Sequence, residues 1–396
     1  MLSTKTIEIV KSTIPLLENA GVEVTDYFYR RMFEHNPELK DIFNLANQAS
    51  GRQQFALFSA VAAYAKNIDN LAVLGDLVER VAQKHTSFDI QPIQYQIVGH
   101  HLIETLREMA PDAFTDEVAN AWIEAYGLLA DVLIGRERDL YDASSEQRGG
   151  WNGPRLFKVK EKTSESELVT NFTFVPVDGG QVRSYSPGQY IAVKVKPENT
   201  DNVEIRQYSL SDKFNTDSYR ISVKKELSPR LGVVSNYLHD HINIDDTVEL
   251  MPPAGAFYLK HADKPTVLIS AGVGITPMMA MLETMVDKGI VQPILFLHAC
   301  RNKQQHSFQQ RIETLSSSYD DVNNFYWYDE EQQEDYTALT GMMDLNAISA
   351  ELPINAGHFY VCGPIAFMRF IKLQLRVLGV SLDRIHYETF GPHDDI

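Results

Sequence analysis

Apolar residues in the first third of the chain recur at helical spacing. Leu77, Val78, Val81 and Ala82 form one stripe that continues to His85, and Phe55, Phe58 and Ala62 form another. Pro92 stands where a helix begins, the place at which its missing N–H costs least. No strand alternation occurs before Leu156, so residues 1–143 are expected to be all-α. Ala143-Ser144-Ser145-Glu146-Gln147-Arg148-Gly149-Gly150 is polar and Gly/Ser-rich and reads as a linker. Beyond Trp151 the runs Leu156–Lys160, Val169–Val175, Tyr190–Val195 and Tyr219–Lys224 predict antiparallel strands, with Asp178-Gly179-Gly180 as a turn. Such strands make a small antiparallel β-barrel. From Pro265 the buried-strand runs Thr266–Ser270, Pro293–His298 and His358–Cys362 alternate with the helical stretches Met278–Lys288 and Phe367–Leu378. That alternation predicts an α/β domain on a parallel sheet. The expected multidomain division is 1–143, a linker at 144–151, 152–261 and 262–396.

A length of 396 residues accommodates two or three domains, and 44% apolar with 22% charged residues is ordinary for chains that bury cores. The net charge of −17 argues against nucleic acid as a partner and weakens attraction to anionic lipid. Cys300 and Cys362, 62 positions apart, supply neither an iron–sulfur site nor a CxxC pair, and a reducing, cytoplasmic location is expected. The start, Met1-Leu2-Ser3-Thr4-Lys5, has no apolar signal core. Val267–Val286 is the most apolar 20-residue window, yet Gly272, Gly274, Pro277 and Glu283 interrupt it. A strand–loop–helix unit accounts for that window better than a membrane span, so no stable membrane insertion is expected.

Candidate chemistry concentrates at three places. Thr266–Ser270 runs directly into Gly272-Val273-Gly274-Ile275-Thr276-Pro277, where glycines let the backbone approach a pyrophosphate and a helix N-terminus offers unpaired N–H groups. Pro277 is expected at the first helical position. Cys362-Gly363-Pro364 repeats the strand-to-helix junction at the same carboxyl edge. Arg301 and Lys303 come after the second apolar run, where a nucleotide 2′-phosphate would lie, but solvated charges explain them equally well; NADH versus NADPH stays open. Some sixty residues before the glycine loop, Arg206-Gln207-Tyr208-Ser209 reads as a flavin-phosphate clamp. In the helical part, His85 projects from an apolar stripe as a candidate axial ligand for heme iron. Pro37 and Phe43 are six positions apart, and Gln53 and Leu57, four apart, face one side of a helix.

The C-terminal motifs resemble those of the ferredoxin–NADP reductase superfamily, whose Arg-x-Tyr-Ser strand holds flavin. The resemblance implies that Arg206 pairs with the FAD pyrophosphate while Tyr208 and Ser209 contact the isoalloxazine. It also implies that Pro187-Gly188-Gln189-Tyr190 brings Tyr190 near the flavin, and that Gly232-Val233-Val234-Ser235 is a second phosphate contact. Glu388, Thr389, Phe390, Gly391 and Pro392 would then cover the flavin face where nicotinamide arrives.

End to end, the chain resembles the bacterial flavohemoglobins: Lys84-His85-Thr86-Ser87-Phe88, Tyr29, Phe43, Gln53, Tyr95 and Glu137 stand where that family has them. This implies a globin domain holding heme b through His85, then an FAD-binding β-barrel and an NAD(P)-binding domain. The implied activity is nitric oxide dioxygenase, with NADH or NADPH reducing FAD, FAD reducing heme, and O2 converting NO to nitrate. Tyr29 would donate a hydrogen bond to bound O2 and Gln53 would order it; Tyr95 and Glu137 would bond to His85, and Lys84 would tune heme–flavin communication. A cytoplasmic monomer with an apolar distal pocket suited to lipid completes the implied picture. Two alternatives are a diaphorase reducing ferric iron, quinones or O2 from its flavin, and an oxygen-binding or sensing globin.

Overall fold

Period-3.6 patterning in the first part of the chain produces helices throughout. They are α1 (Thr4–Ser12), α2 (Ile14–Glu18), α3 (Val22–His35), α4 (Arg52–Lys66), α5 (Gly75–Thr86), α6 (Pro92–Met109) and α7 (Asp116–Glu146). The structure, a computed structural model, describes residues 2–18, 22–43, 52–198, 200–228, 231–289, 291–330 and 338–391, with the side chains of 52–56 outside that set. By internal contacts the chain divides into two compact units: Met1–Glu146 with Asn152–Pro154 and Lys194–Arg206, and the remainder.

The helical core is built on Phe28, Met32, Phe58, Tyr64, Leu102 and Trp122, each at most 2% exposed. Two buried polar atoms in it are satisfied: Trp122 Nε1 donates to Thr13 Oγ1 at 2.9 Å, and the Tyr64 hydroxyl donates to the Ala125 carbonyl at 2.7 Å. Helix α7 is long and apolar enough to cross a membrane by composition, but Ala119, Trp122 and Ala125 on it lie buried in this core. It also runs through Glu146, three residues into the segment expected to be a linker. Ala143 to Glu146 contains no helix breaker, and Ser144 is 4% exposed; the first positive-φ glycine after the helix is Gly149, at 72°.

Beyond it, β1 (Arg155–Ser164), β2 (Val169–Pro176), β3 (Tyr190–Val195), β4 (Glu204–Ser209), β5 (Tyr219–Lys224) and β6 (Thr247–Leu250) form a sheet in the order β4-β3-β6-β1-β2-β5. Strand β1 pairs antiparallel with β2 and β6, and β2 with β5. An antiparallel bridge between Leu210 and Ile221 joins the two outer strands, closing the sheet as a barrel. Phe157, Phe172, Phe174, Tyr219 and Ile221 fill it. Helix α8 (Val233–His241) precedes β6.

The last sheet is wholly parallel: β7 (Thr266–Ala271), β8 (Ile294–Cys300), β9 (Val322–Tyr328), β10 (Leu339–Thr340), β11 (His358–Cys362) and β12 (Ile385–Glu388), ordered β10-β9-β8-β7-β11-β12. Leu268 and Phe296 pack on α9 (Ile275–Asp287) and α10 (Gln309–Ser318), while Val267, Ile269 and Leu297 pack toward α11 (Ile365–Val377). Burial on both faces explains why these strands read as unbroken apolar runs. Strand order reverses between β7 and β11, which is the topological switch point where open α/β sheets bind ligands.

Candidate cofactor sites

Helix α5 carries Lys84 and His85 in its last turn. The His85 Nδ1 lies 2.7 Å from the Tyr95 hydroxyl and 2.8 Å from Glu137 Oε1. The Tyr95 hydroxyl donates to that same carboxylate oxygen. Tyr95 is itself fixed on α6, where its carbonyl accepts the Tyr126 hydroxyl at 2.9 Å. Burial, and then the Glu137 charge, push the Tyr95 phenol far above its ordinary range, so it remains a donor. Glu137 is 3% exposed, and its neighbour Arg136 is occupied by Glu79 at 2.7 Å. It is therefore a built-in acceptor, not one of the solvated charges around it in sequence.

A carboxylate only accepts, so Nδ1 carries a proton and donates it, which leaves Nε2 as the nitrogen able to meet a metal. Among the described residues Nε2 has no hydrogen-bond partner, and the ring is 32% exposed. This is the donor set a heme requires: one oriented imidazole nitrogen.

Tyr29, 5% exposed, supplies a second feature that fits. Its ring packs with Phe28 at 4.9 Å and with Phe33 and Phe43 at 6.0 Å between centroids. Burial raises its phenol well above the ordinary value, and its hydroxyl has no hydrogen-bond partner among the described residues. Phe43 comes just after the 3-10 turn Pro37–Asp41, and Leu57 packs against the same core. Gln53 lies on α4, but its side chain is outside the described set.

On β4 the side chains of Arg206, Gln207 and Tyr208 are partly exposed and Ser209 is buried. The Arg206 guanidinium bonds to Glu204 Oε2 at 2.8 Å and donates to the Ile205 carbonyl at 2.8 Å. Glu204 escaped sequence reading, although residues two apart on a strand share a face. Tyr190 opens β3, bonded through its N–H to the Ala254 carbonyl at 2.9 Å. A Cβ at Gly255, whose φ is 123°, would sit 3.0 Å from the Tyr190 ring. Gly232 caps α8, where a Cβ would collide with the Ser235 hydroxyl. A cationic side chain and a helix start with bare backbone are what a dinucleotide pyrophosphate needs.

At the switch point, Gly272–Gly274 forms a 3-10 turn and α9 starts at Ile275. Pro277 is thus the third helical residue rather than the first; its missing N–H still falls in the first turn, where no partner is lost. Val273 accepts from the Thr276 hydroxyl at 3.0 Å. A Cβ on Gly274 would strike the Cys362 carbonyl, and one on Gly363 would lie 3.1 Å from Ala271 Cβ. The two strand-to-helix junctions, Gly272–Pro277 and Cys362–Pro364, therefore press together with glycine at both contacts. Glu388 is not in a loose tail: it ends β12 in register with Cys362. Thr389 is buried, Phe390 is 50% exposed, Gly391 has φ 148°, and Pro392 lies outside the described residues. Arg301 is held by Glu330 at 2.6 Å, a partner that sequence spacing did not reveal.

Three family profiles match the chain: Globin over residues 26–133, Oxidoreductase FAD-binding domain over 156–258, and Oxidoreductase NAD-binding domain over 268–373. A flavohemoprotein of Vibrio cholerae is 52% identical over 395 residues, covering 99% of both chains. The chain belongs to the flavohemoprotein family. The flavohemoglobin of Malassezia yamatoensis, solved with bound FAD and heme, superposes with a TM-score of 0.88 at 25% identity, over 98% of this chain and 100% of that one. The flavohem-like FAD/NAD-binding domain of the nitric oxide dioxygenase from Vibrio cholerae is 46% identical, with a TM-score of 0.57 over 60% of this chain and 99% of that one. For a flavohemoprotein, the grouping of candidates is coherent. His85, Tyr95 and Glu137 form one hydrogen-bonded set, Tyr29 and Phe43 one aromatic cluster, and the glycine loops one junction. Lys84 is partly buried in the same turn as His85.

Proposed function

We propose that this flavohemoprotein oxidises nitric oxide to nitrate with O2, taking electrons from NADH or NADPH. The observation that carries the reading is the His85–Glu137–Tyr95 set, together with membership of a family that includes a nitric oxide dioxygenase. When bound, nicotinamide supplies hydride, FAD divides the electron pair, and heme b is the centre where O2 and NO react.

The chain's own residues do the rest. Glu137 accepts a hydrogen bond from the Nδ1–H of His85 and gives the imidazole anionic character, which would make it a stronger donor to iron. Tyr95 holds that carboxylate in place, so the ring cannot turn. Tyr29 keeps a neutral hydroxyl ready to donate where negative charge grows on a bound ligand, with Gln53 ordering it. Phe43 and Leu57 line the heme, and the surrounding aromatic rings exclude water. Arg206 and the Gly232–Ser235 helix start hold the FAD pyrophosphate; Tyr190, Gln207, Tyr208 and Ser209 contact its ring. The Gly272–Pro277 and Cys362–Pro364 junctions take the nicotinamide nucleotide, and Glu388 to Pro392 cover the flavin. Lys84 tunes exchange between the two halves.

We assign 1–143 to heme, 152–261 to FAD and 262–396 to the nicotinamide nucleotide, with the end of α7 at Glu146 as the refined first boundary. The reading makes the protein a monomer and places it in the cytoplasm, the latter supported by two buried free cysteines. It also admits an acyl chain beside the heme, supported by the apolar set Phe28, Phe33, Phe43 and Leu57.

Purified protein supplied with NAD(P)H and O2 is expected to consume NO rapidly and to form one nitrate per NO. His85→Ala should abolish nitrate formation while leaving NAD(P)H oxidation by artificial acceptors. Consumption of NO without nitrate, or nitrate formation undiminished in His85→Ala, would refute the proposal.

A further inference from the structure

Three imidazoles meet at the amino-terminal edge of the parallel sheet, each delivered by a different segment. His358 opens β11, His386 lies on the neighbouring β12, and His261 precedes β7. His358 Nδ1 and His386 Nε2 are 3.0 Å apart. The His261 ring stacks on His358 with centroids 4.0 Å apart, and one ring nitrogen from each of the three lies within 4.8 Å of the others. Tyr360 fixes the arrangement: its ring stacks on His386 at 4.7 Å, and its hydroxyl accepts the Lys260 and His261 N–H groups at 3.0 and 3.3 Å.

Packing alone does not explain this cluster well. The His358–His386 pair can share only one proton, and among the described residues the His261 ring nitrogens have no hydrogen-bond partner. Burial, and then the neighbouring imidazoles, hold His358 below the ordinary histidine range and His386 down at about 4. Deprotonated imidazoles are the form that binds metal. Asp263 and Asp383 favour positive charge at His358, against Arg384; Lys260 opposes it at His386.

We propose that His261, His358 and His386 form a divalent-metal site that takes Zn2+ or Cu2+ in preference to Mg2+ or Ca2+. Nitrogen donors select those borderline ions, whereas the lighter ones need oxygen. A metal replacing the shared proton at a bond length of about 2.05 Å in tetrahedral geometry separates two nitrogens by about 3.3 Å. The observed 3.0 Å is a few tenths short of that, while His261, stacked on His358, has to swing its ring out of the stack to reach the same ion. The site is separate from the nucleotide junction: Cys362 lies four residues further along β11, about 13 Å at the rise of a strand.

The test is calorimetric titration of tag-free, full-length protein, loaded with heme and FAD, with Zn2+ alone, alongside Cu2+ and its electron paramagnetic resonance. One Zn2+ per chain is expected. Affinity should fall by at least about tenfold in His261→Ala and His358→Ala, since losing even an outer partner of a metal ligand has that effect. His261→Ala is the safer variant because its position lies outside the strands. If both variants unfold, the wild-type Cu2+ spectrum decides, because three imidazoles impose nitrogen hyperfine splitting. Absence of a Zn2+ site, affinity unchanged in a folded variant, or an oxygen-only Cu2+ spectrum would overturn the proposal.

Discussion

Glu137 illustrates how surroundings decide what a side chain does. In the string Arg136-Glu137-Arg138-Asp139 it looks like one more solvated charge, yet it is 3% exposed and accepts from both His85 and Tyr95. A buried carboxylate is costly unless paired, so its place there is explained by the imidazole it holds. Tyr29 has the complementary property, a buried hydroxyl with no described hydrogen-bond partner. Tyr29→Phe should release O2 from the reduced protein about tenfold faster, the effect of one hydrogen bond worth about 1.4 kcal/mol. Stopped-flow measurement of the O2 off-rate checks this, and an unchanged rate removes the assigned role. Arg206 is paired with Glu204, a carboxylate with which the proposed FAD pyrophosphate would compete. Arg206→Ala should therefore elute from gel filtration with less FAD than the wild type; full flavin retention would exclude a phosphate clamp.

Between elements, His101 ties α6 to the end of α3. Its Nδ1 accepts from Arg31 at 2.6 Å and its Nε2 side meets Asn36 Oδ1 at 2.9 Å. Burial, then Arg31, His100 and His35, lower its pKa from 6.5 to about 4. Between those values the unfolded chain binds a proton that the folded one refuses. The stabilisation is thus present above pH 6.5 and is lost as pH falls toward about 4. At most about 3 kcal/mol is involved at one pKa unit per 1.36 kcal/mol. Urea unfolding monitored by far-ultraviolet circular dichroism should show this acid slope, flattened in His101→Gln; equal slopes would contradict it.

Elements were legible in the sequence wherever a single period dominated. His358–Cys362 and Tyr219–Lys224 have the bounds read from their apolar pattern. Strand β4 was legible as a strand only through the family motif, because its charged and polar residues hide the alternation. Strand β9 opens with Val322-Asn323-Asn324, and β12 owes its strand form to pairing with β11, information that no local window contains. Pro277 and the start of the linker were misplaced because a helix end is set by capping and tertiary contacts as much as by local residue type. The two glycine loops were recognised singly, whereas their mutual contact through Gly274 and Cys362 comes from the strand order. Likewise, the partners Glu204 of Arg206 and Glu330 of Arg301 emerged only from the fold.

For the whole molecule, the central claim is that reducing power entering at the nicotinamide site reaches a heme held by His85. A helical unit with an oriented imidazole and a barrel–α/β pair whose helices α8 and α9 start after glycines fit the proposed transfer of electrons within one chain. Net charge, buried thiols and apolar windows constrain the surroundings of that process without defining it. The most direct measurement is the absorption spectrum of purified protein mixed with NADH or NADPH in the absence of oxygen. The account predicts that the flavin bands bleach and the Soret band then moves to its ferrous position, and that His85→Ala bleaches its flavin with no Soret band to move. A flavin that bleaches while the wild-type Soret band stays ferric would contradict it.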